Sequence, residues 1–275
     1  MGYNGKTAKE VSFMKFRLPQ AYFSKIMRAI VEFEMIERGD NILIGLSGGK
    51  DSLLLTYALA MMRERTKGKF SLRALTIDPL FSEDFDAKAL SRFCASLDIP
   101  HEIEKVDIAG VIQSSPKNAP CFTCAFFRRG AINRVAMEHQ CNKIAYAHHN
   151  DDAVETLLLN LLYSGQIGTF QPKTYLDRTN LTVIRPLIYL REAETIAAIP
   201  YHGMTPVKSP CPIDGKTKRE TVKKLVADLT EKNPLIYEHL ASAMRKNGGG
   251  EMNKLWPAAK SRQEMRESYD RFIHA

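Results

Sequence analysis

The chain has 275 residues, 44% of them hydrophobic, and carries 39 Lys and Arg against 31 Asp and Glu, a net charge of +8. That length and apolar content suit one large domain or a domain with an appendage, and no apolar run approaches the roughly 18 residues of a membrane span. No apolar block follows Lys6, Lys9, Lys15 and Arg17, so a secretory leader is not read there and a cytoplasmic location with no membrane partner is expected. Six Lys or Arg stand in residues 1–28 against Glu10 alone, and seven in residues 208–232 against four acids. Flanks of that kind fit a polyanionic partner; solvated helix faces are the plainer reading.

In chain order, the apolar spacing of Ala21, Ile26, Ile30, Phe33 and Ile36 predicts a helix over 20–38, closed by Arg38-Gly39-Asp40. A strand at 42–46 runs into a glycine-rich turn, and a helix follows over 53–65. Strand 71–77, helix 85–97, strand 101–106, helix 124–138, strand 143–147, helix 151–163 and a short strand at 182–184 continue the alternation. Alternating strands and helices predict an α/β fold, a parallel twisted sheet with helices on both faces, with ligands outside the carboxyl ends of the strands. Helices are expected over 217–230 and 235–245. Asn247-Gly248-Gly249-Gly250 then reads as a flexible joint to a last polar helix. The organisation expected is a basic helical segment at 1–40, a catalytic domain at 41–215 and a helical extension at 216–275.

The turn after the first strand is Ser47-Gly48-Gly49-Lys50-Asp51-Ser52. Gly48 and Gly49 accept backbone angles closed to other residues, so successive N–H groups can face one anion. The helix beginning near Ser52 aims its positive end at the same place, and Lys50 adds a full charge. Asp51 would repel a bare phosphate, which implies a bridging Mg²⁺. The common nucleotide loop, G-x-x-x-x-G-K-[ST], does not fit, because Ile44 stands five before Gly49 and an aspartate follows Lys50. A second polar cluster follows the strand at 143–147: His148, His149, Asn150, Asp151 and Asp152, then Glu155 and Thr156. Capping a helix accounts for one of those carboxylates, not for two carboxylates and two imidazoles.

The Ser-Gly-Gly-Lys-Asp-Ser string resembles the signature of the PP-loop, or N-type, ATP pyrophosphatases, whose fold is Rossmann-like and which cleave ATP between the α and β phosphates. The string from Ile144 to Thr156 is similar to the second motif of the tRNA-modifying branch, and Arg185-Pro186-Leu187 to its third. The resemblance implies that Ser47, Gly48, Gly49, Lys50 and Ser52 hold the phosphates and that Asp51 and Asp152 position Mg²⁺. It implies further that His148 and Asp151 belong to the ATP site, that the backbone of Ile77 and Asp78 holds adenine, and that Arg185 stabilises the departing pyrophosphate.

Five cysteines in a chain read without a leader do not suggest a disulfide scaffold. Cys94 and Cys141 fall within or just after helices and read as buried filler. Cys121 and Cys124 form Pro-Cys-x-x-Cys at a helix start, where the helix N-terminus favours thiolates. Cys211 lies 87 residues later, between two prolines. Three thiolates are one short of a closed zinc site and suit a [4Fe–4S] cluster with one open iron; a redox or persulfide-carrying pair and zinc are the other readings. With both ATP motifs, this arrangement resembles the tRNA 2-thiocytidine synthetase family from about Tyr22 to about Leu229. It includes Cys-x-x-Cys-x-x-x-Arg-Arg-Gly at 121–130, and it departs where Asp214 replaces a second late cysteine. The family implies ATP, Mg²⁺ and a [4Fe–4S] cluster, adenylation of the C2 oxygen of a cytidine at tRNA position 32, and release of AMP and pyrophosphate as sulfur enters. Arg128, Arg129, Lys216, Lys218 and Arg219 are expected on the RNA backbone. The implied partners are tRNA and a cysteine desulfurase or other sulfide source, with a homodimer as the default assembly. A tRNA 2-thiouridine synthetase or a tRNA lysidine synthetase-like enzyme shares the ATP motifs; the latter needs none of the three cysteines.

Overall fold

The computed structural model describes residues 17–82, 85–114, 120–203, 205–212, 215, 217–245 and 255–274. Lys6, Lys9, Lys15, Asp214, Lys216 and the expected joint at 247–250 lie outside the described residues. The chain runs α1 (Gln20–Glu32), β1 (Asn41–Gly45), α2 (Lys50–Arg65), β2 (Ser71–Asp78), α3 (Ala87–Ser96) and β3 (His101–Lys105). It continues with α4 (Ile108–Ser114), α5 (Pro120–Glu138), β4 (Lys143–Ala145), α6 (Asn150–Ser164), β5 (Lys173–Leu176) and β6 (Leu181–Ile184). Helices α7 (Glu192–Ala197), α8 (Ile199–His202), α9 (Lys218–Lys232), α10 (Leu235–Ala243) and α11 (Arg262–His274) complete it.

The six strands form one sheet in the order β3-β2-β1-β4-β6-β5, parallel except where β5 pairs antiparallel with β6 at the edge. Strand side chains alternate between faces. Ile42 and Ile44 of β1 therefore join Leu72, Ala74, Ala145 and Ile184 on one face, under α1, α2, α3 and α6. Leu43 joins Leu75, Ile144 and Val183 on the other, against Ile132, Val135 and Ala136 of α5. Burial on both faces explains why these strands read as unbroken apolar runs. Strand order reverses between β1 and β4, so the turns after those two strands open side by side at the carboxyl edge, where α/β sheets form their ligand crevice.

The structure corrects several boundaries. The helix expected over 20–38 stops at Glu32. Glu34 takes a left-handed conformation, φ 47°, and the Met35 N–H closes back on the Ile30 carbonyl at 2.9 Å. Phe33, Met35 and Ile36 stay in the core beyond that turn, so the apolar spacing ran on after the helix had ended. The Glu34 carboxylate is held by Lys260 at 2.7 Å, Arg271 at 2.6 Å and Ser268 at 3.2 Å, and those cations lower its pKa to about 2. That cluster anchors α11 against the end of α1. Helix α2 begins at Lys50 rather than Leu53, and β4 ends at Ala145 rather than Ala147. Helix α5 begins at Pro120 rather than Cys124, since proline fits a first turn that needs no N–H. Sequence spacing missed α4, α7 and α8 as too short, and β5 as a half-exposed edge of four residues.

The terminal helices share the core. Ile26 and Ile30 of α1, Val222 and Val226 of α9, Tyr237 of α10 and Trp256 all belong to the larger apolar cluster. Removing the fully buried Ile30 side chain tests that union. Ile30→Ala is expected to cost about 2–5 kcal/mol in one cooperative urea transition, whereas a separately melting α1 would give an early, shallow phase and leave the main midpoint in place.

Candidate functional site

The turn after β1 is built to present backbone donors. Gly48 sits at φ 85°, and a Cβ there would lie 3.1 Å from Val207 Cβ and 3.3 Å from Leu90 Cδ1, so both its conformation and its neighbours require glycine. The buried Ser52 hydroxyl takes the Gly48 N–H at 3.1 Å and donates to the Gly49 carbonyl at 2.9 Å. Ser47 Oγ lies 3.2 Å from Ser52 Oγ and 3.4 Å from the Gly49 N–H. Gly49 caps α2 without a side chain, which leaves the first N–H groups of the helix for an anion.

Lys50 is held between Asp51 Oδ2, at 3.0 Å, and Glu192 Oε1, at 3.2 Å. Burial alone would lower its pKa, but the two carboxylates outweigh that and raise it. Glu192 also takes Lys223 Nζ of α9 at 2.6 Å; burial opposes ionisation, yet the two lysines pull its pKa down. The other Asp51 oxygen, Oδ1, is buried without a hydrogen-bond partner. A buried carboxylate oxygen left unsatisfied beside a phosphate cradle fits a divalent cation such as Mg²⁺.

The turn after β4 assigns its polar residues separate tasks. His149, not an aspartate, caps α6: its Nδ1 accepts from the Asp152 N–H at 3.4 Å, and Asp152 Oδ2 accepts from the His149 N–H at 2.9 Å. Asp151 turns away to Arg191 Nε at 3.1 Å and the Glu192 N–H at 2.8 Å, joining α6 to the start of α7. Asn150 is buried, with its amide on the Ile188 carbonyl at 3.1 Å and its oxygen accepting from Tyr237 at 2.6 Å. Arg191 lies over the Tyr237 ring, 3.1 Å from its centroid. Arg185 reaches back from the end of β6 to His148 Nδ1 at 3.2 Å and the Gln171 carbonyl at 2.6 Å. Burial lowers its pKa to about 10, so it stays charged at neutral pH.

Arg219, expected on RNA, pairs with Glu155 at 3.0 Å and Thr156 at 3.1 Å, and reaches Asp152 at 3.8 Å. Lys218 lies over the Tyr163 ring at 4.7 Å. Ile77 is half-buried at the end of β2, and Asp78 accepts from the Leu80 N–H at 3.0 Å. Glu192, Lys223, Arg191 and Tyr237 were not found from sequence, because each is an ordinary residue type on a short or polar helix outside the motifs.

All five cysteines are free. Cys94 and Cys141 are buried, and burial pushes the Cys94 thiol up to about 12 and raises that of Cys141, as inert filler requires. Cys121 is exposed, while Cys124 and Cys211 are half-buried. Burial raises the Cys124 thiol, Arg128 opposes it, and Cys211 and Cys121 raise it further, so both other sulfurs lie within electrostatic reach of Cys124. Among the described residues, no three His, Cys, Asp or Glu side chains stand close enough to enclose a metal ion. The donor set, three free thiols, suits an iron–sulfur group. The same segment is pinned to the phosphate loop, with the Val207 N–H on the Gly48 carbonyl at 2.9 Å.

The PP-loop domain family matches residues 21–229. The chain is 37% identical to the tRNA-cytidine(32) 2-sulfurtransferase of Geobacter metallireducens over 79% of this chain and 86% of that one. It is 35% identical to the protein of the same name from Syntrophotalea carbinolica, over 79% and 85%. Among solved structures, the U34-tRNA thiolase NcsA from Methanococcus maripaludis, with its [4Fe-4S] cluster, has the same fold. It superposes with a TM-score of 0.66 at 22% identity, over 81% of this chain and 78% of that one.

The neutral imidazole that receives Arg185 makes stability depend on pH. Burial first and Arg185 second lower the His148 pKa to about 4, and burial also lowers those of His101 and His202. Unfolded histidines titrate near 6.5. Below that pH the unfolded chain therefore binds more protons than the native one, and stability falls as pH falls, by at most about 1.4 kcal/mol per unit for each histidine. The urea midpoint is expected to drop between pH 7 and pH 5, and to drop less in His148→Asn, whose oxygen still accepts from Arg185. Identical pH profiles for the two proteins would remove His148 from this account.

Proposed function

Because this chain belongs to the PP-loop family and, within it, to the tRNA-cytidine(32) 2-sulfurtransferases, we propose that it thiolates tRNA, converting a cytidine at position 32 of the anticodon loop to 2-thiocytidine at the expense of ATP. The observation that carries this reading is the tether between the two halves of the site. The segment bearing Cys211 is hydrogen-bonded to Gly48 of the phosphate loop, which supports a reading in which ATP and the thiols would share one crevice. A lysidine-type ligation would have no use for three unpaired thiols there.

In this reading the cytidine O2 attacks the α-phosphorus of ATP and pyrophosphate leaves, giving an O-adenylated base. Sulfide then attacks C2 and AMP departs with the oxygen. Activation is required because an amide-like oxygen is a poor leaving group. The N-terminus of α2 with Ser47, Gly48, Gly49 and Ser52 would bind the phosphates, and Lys50 would exchange one of its carboxylate partners for them. Asp51, through its unsatisfied oxygen, and Asp152 would hold Mg²⁺. Arg185 would offset charge as pyrophosphate leaves. Cys121, Cys124 and Cys211 would hold a [4Fe–4S] cluster, whose chemistry is to carry sulfur at an open iron. Reaching the base requires it to be unstacked, which loops allow at lower cost than duplexes. The sulfide would come from a cysteine desulfurase or another source, in the cytoplasm.

Substitutions separate the two chemical steps. Lys50→Ala is expected to slow RNA-dependent pyrophosphate release by about 100-fold or more. Cys124→Ala is expected to leave that release largely in place while abolishing thiolation. Nucleoside mass spectrometry of tRNA from cells lacking the protein should show loss of 2-thiocytidine; loss of 2-thiouridine would redirect the reading, and full thiolation by Cys124→Ala would refute it.

A further inference from the structure

The outer side of α5 carries a stripe that neither the core nor the ATP crevice uses. Phe122 and Phe126 stand four residues apart, 66% and 60% exposed, so their rings follow one another along one side of the helix. The next place on that stripe is Gly130. It lies inside the helix, and nothing within 4 Å would meet a Cβ there. Glycine is the poorest helix former after proline, and no neighbour among the described residues calls for it. Exposed Arg129 borders the stripe, its Nε on the Ala125 carbonyl at 3.1 Å. Cys121 lies about 100° around the helix from Phe122, and Cys124 stands on the side opposite the rings.

Resting on the RNA reading above, we infer that Phe122 and Phe126 form the platform on which unpaired nucleotides of the bound RNA stack. Arg129 meets a phosphate, and Gly130 marks where the sugar-phosphate backbone passes closest to the helix. Base–aromatic stacking tolerates any sequence, and a neighbouring cation adds the backbone contact. Two exposed rings alone would equally suit a second copy of the chain. The arginine beside them and the missing side chain at Gly130 favour a polyanion that approaches closely.

The test is fluorescence anisotropy with two probes, a short RNA hairpin whose unpaired loop contains one cytidine and a duplex of the same stem. The double variant Phe122→Ser, Phe126→Ser is expected to lose roughly tenfold or more in hairpin affinity, with a smaller change for the duplex and an unaltered melting temperature. Gly130→Ala is expected to raise the melting temperature by about 2–4 °C and still weaken hairpin binding. Wild-type protein that binds the hairpin while all variants bind it equally overturns the platform and leaves the RNA reading standing. Wild-type protein that ignores both probes overturns the RNA reading and the platform with it. A sedimenting dimer that the double variant splits, with hairpin affinity unchanged, assigns the stripe to self-association and also overturns it.

Discussion

The parallel pairing of β1 with β4, Ile42 to Lys143 and Ile44 to Ala145, is the constraint from which the site follows. These strands are 98 or more residues apart in the chain, counted from Gly45 to Lys143, yet they lie side by side where strand order reverses. Their carboxyl ends deliver the Ser47–Ser52 turn and the His148–Asp152 turn to the same edge. Gly45 belongs to this join, since a Cβ there would meet the Tyr146 ring at 3.1 Å. Close packing of the two strand ends thus sets the spacing of the two polar turns.

Around that edge the charges are arranged in chains rather than isolated pairs. Asp51, Lys50, Glu192 and Lys223 alternate in sign from α2 through α7 to α9, and Asp151 with Arg191 ties α6 to α7. Half-buried carboxylates and lysines in such a chain hold one another ionised, as the raised Lys50 and lowered Glu192 values indicate. Two carboxylates, Asp51 and Glu192, hold the Lys50 cation in place within this network. The C-terminal helices are part of this machinery: Arg219 and Lys223 of α9 reach the second turn and Glu192, and Tyr237 of α10 satisfies the buried Asn150.

Much of the fold was legible because its signals are local. The alternation of apolar strands with amphipathic helices needs only a window of some dozen residues, and every long element was found that way, along with the parallel sheet. Local reading failed where a tertiary contact overrode it. The end of α1 is one such place, because the Glu34 turn is held by Lys260 and Arg271, more than 220 residues away in sequence. The contact of Arg219 with Glu155 was likewise not legible, since only the packing of α9 on α6 brings the two together.

The sequence by itself determined the chemical parts: a glycine-rich turn that presents N–H groups and a lysine, an Asp-rich turn opening a helix, and three cysteines set in contexts unlike core filler. Those properties are intrinsic to residue type and near neighbours. Tertiary structure alone decided how the parts are connected. It made His149 and Asp152 together the cap of α6 and turned Asp151 to Arg191 and Glu192. It supplied Glu192 and Lys223 as partners in the Lys50 network, and it brought Cys211 toward Cys124 while fastening its segment to Gly48. Each of these depends on groups far apart in the chain meeting at short range, and hydrogen bonds and ion pairs act only over that range.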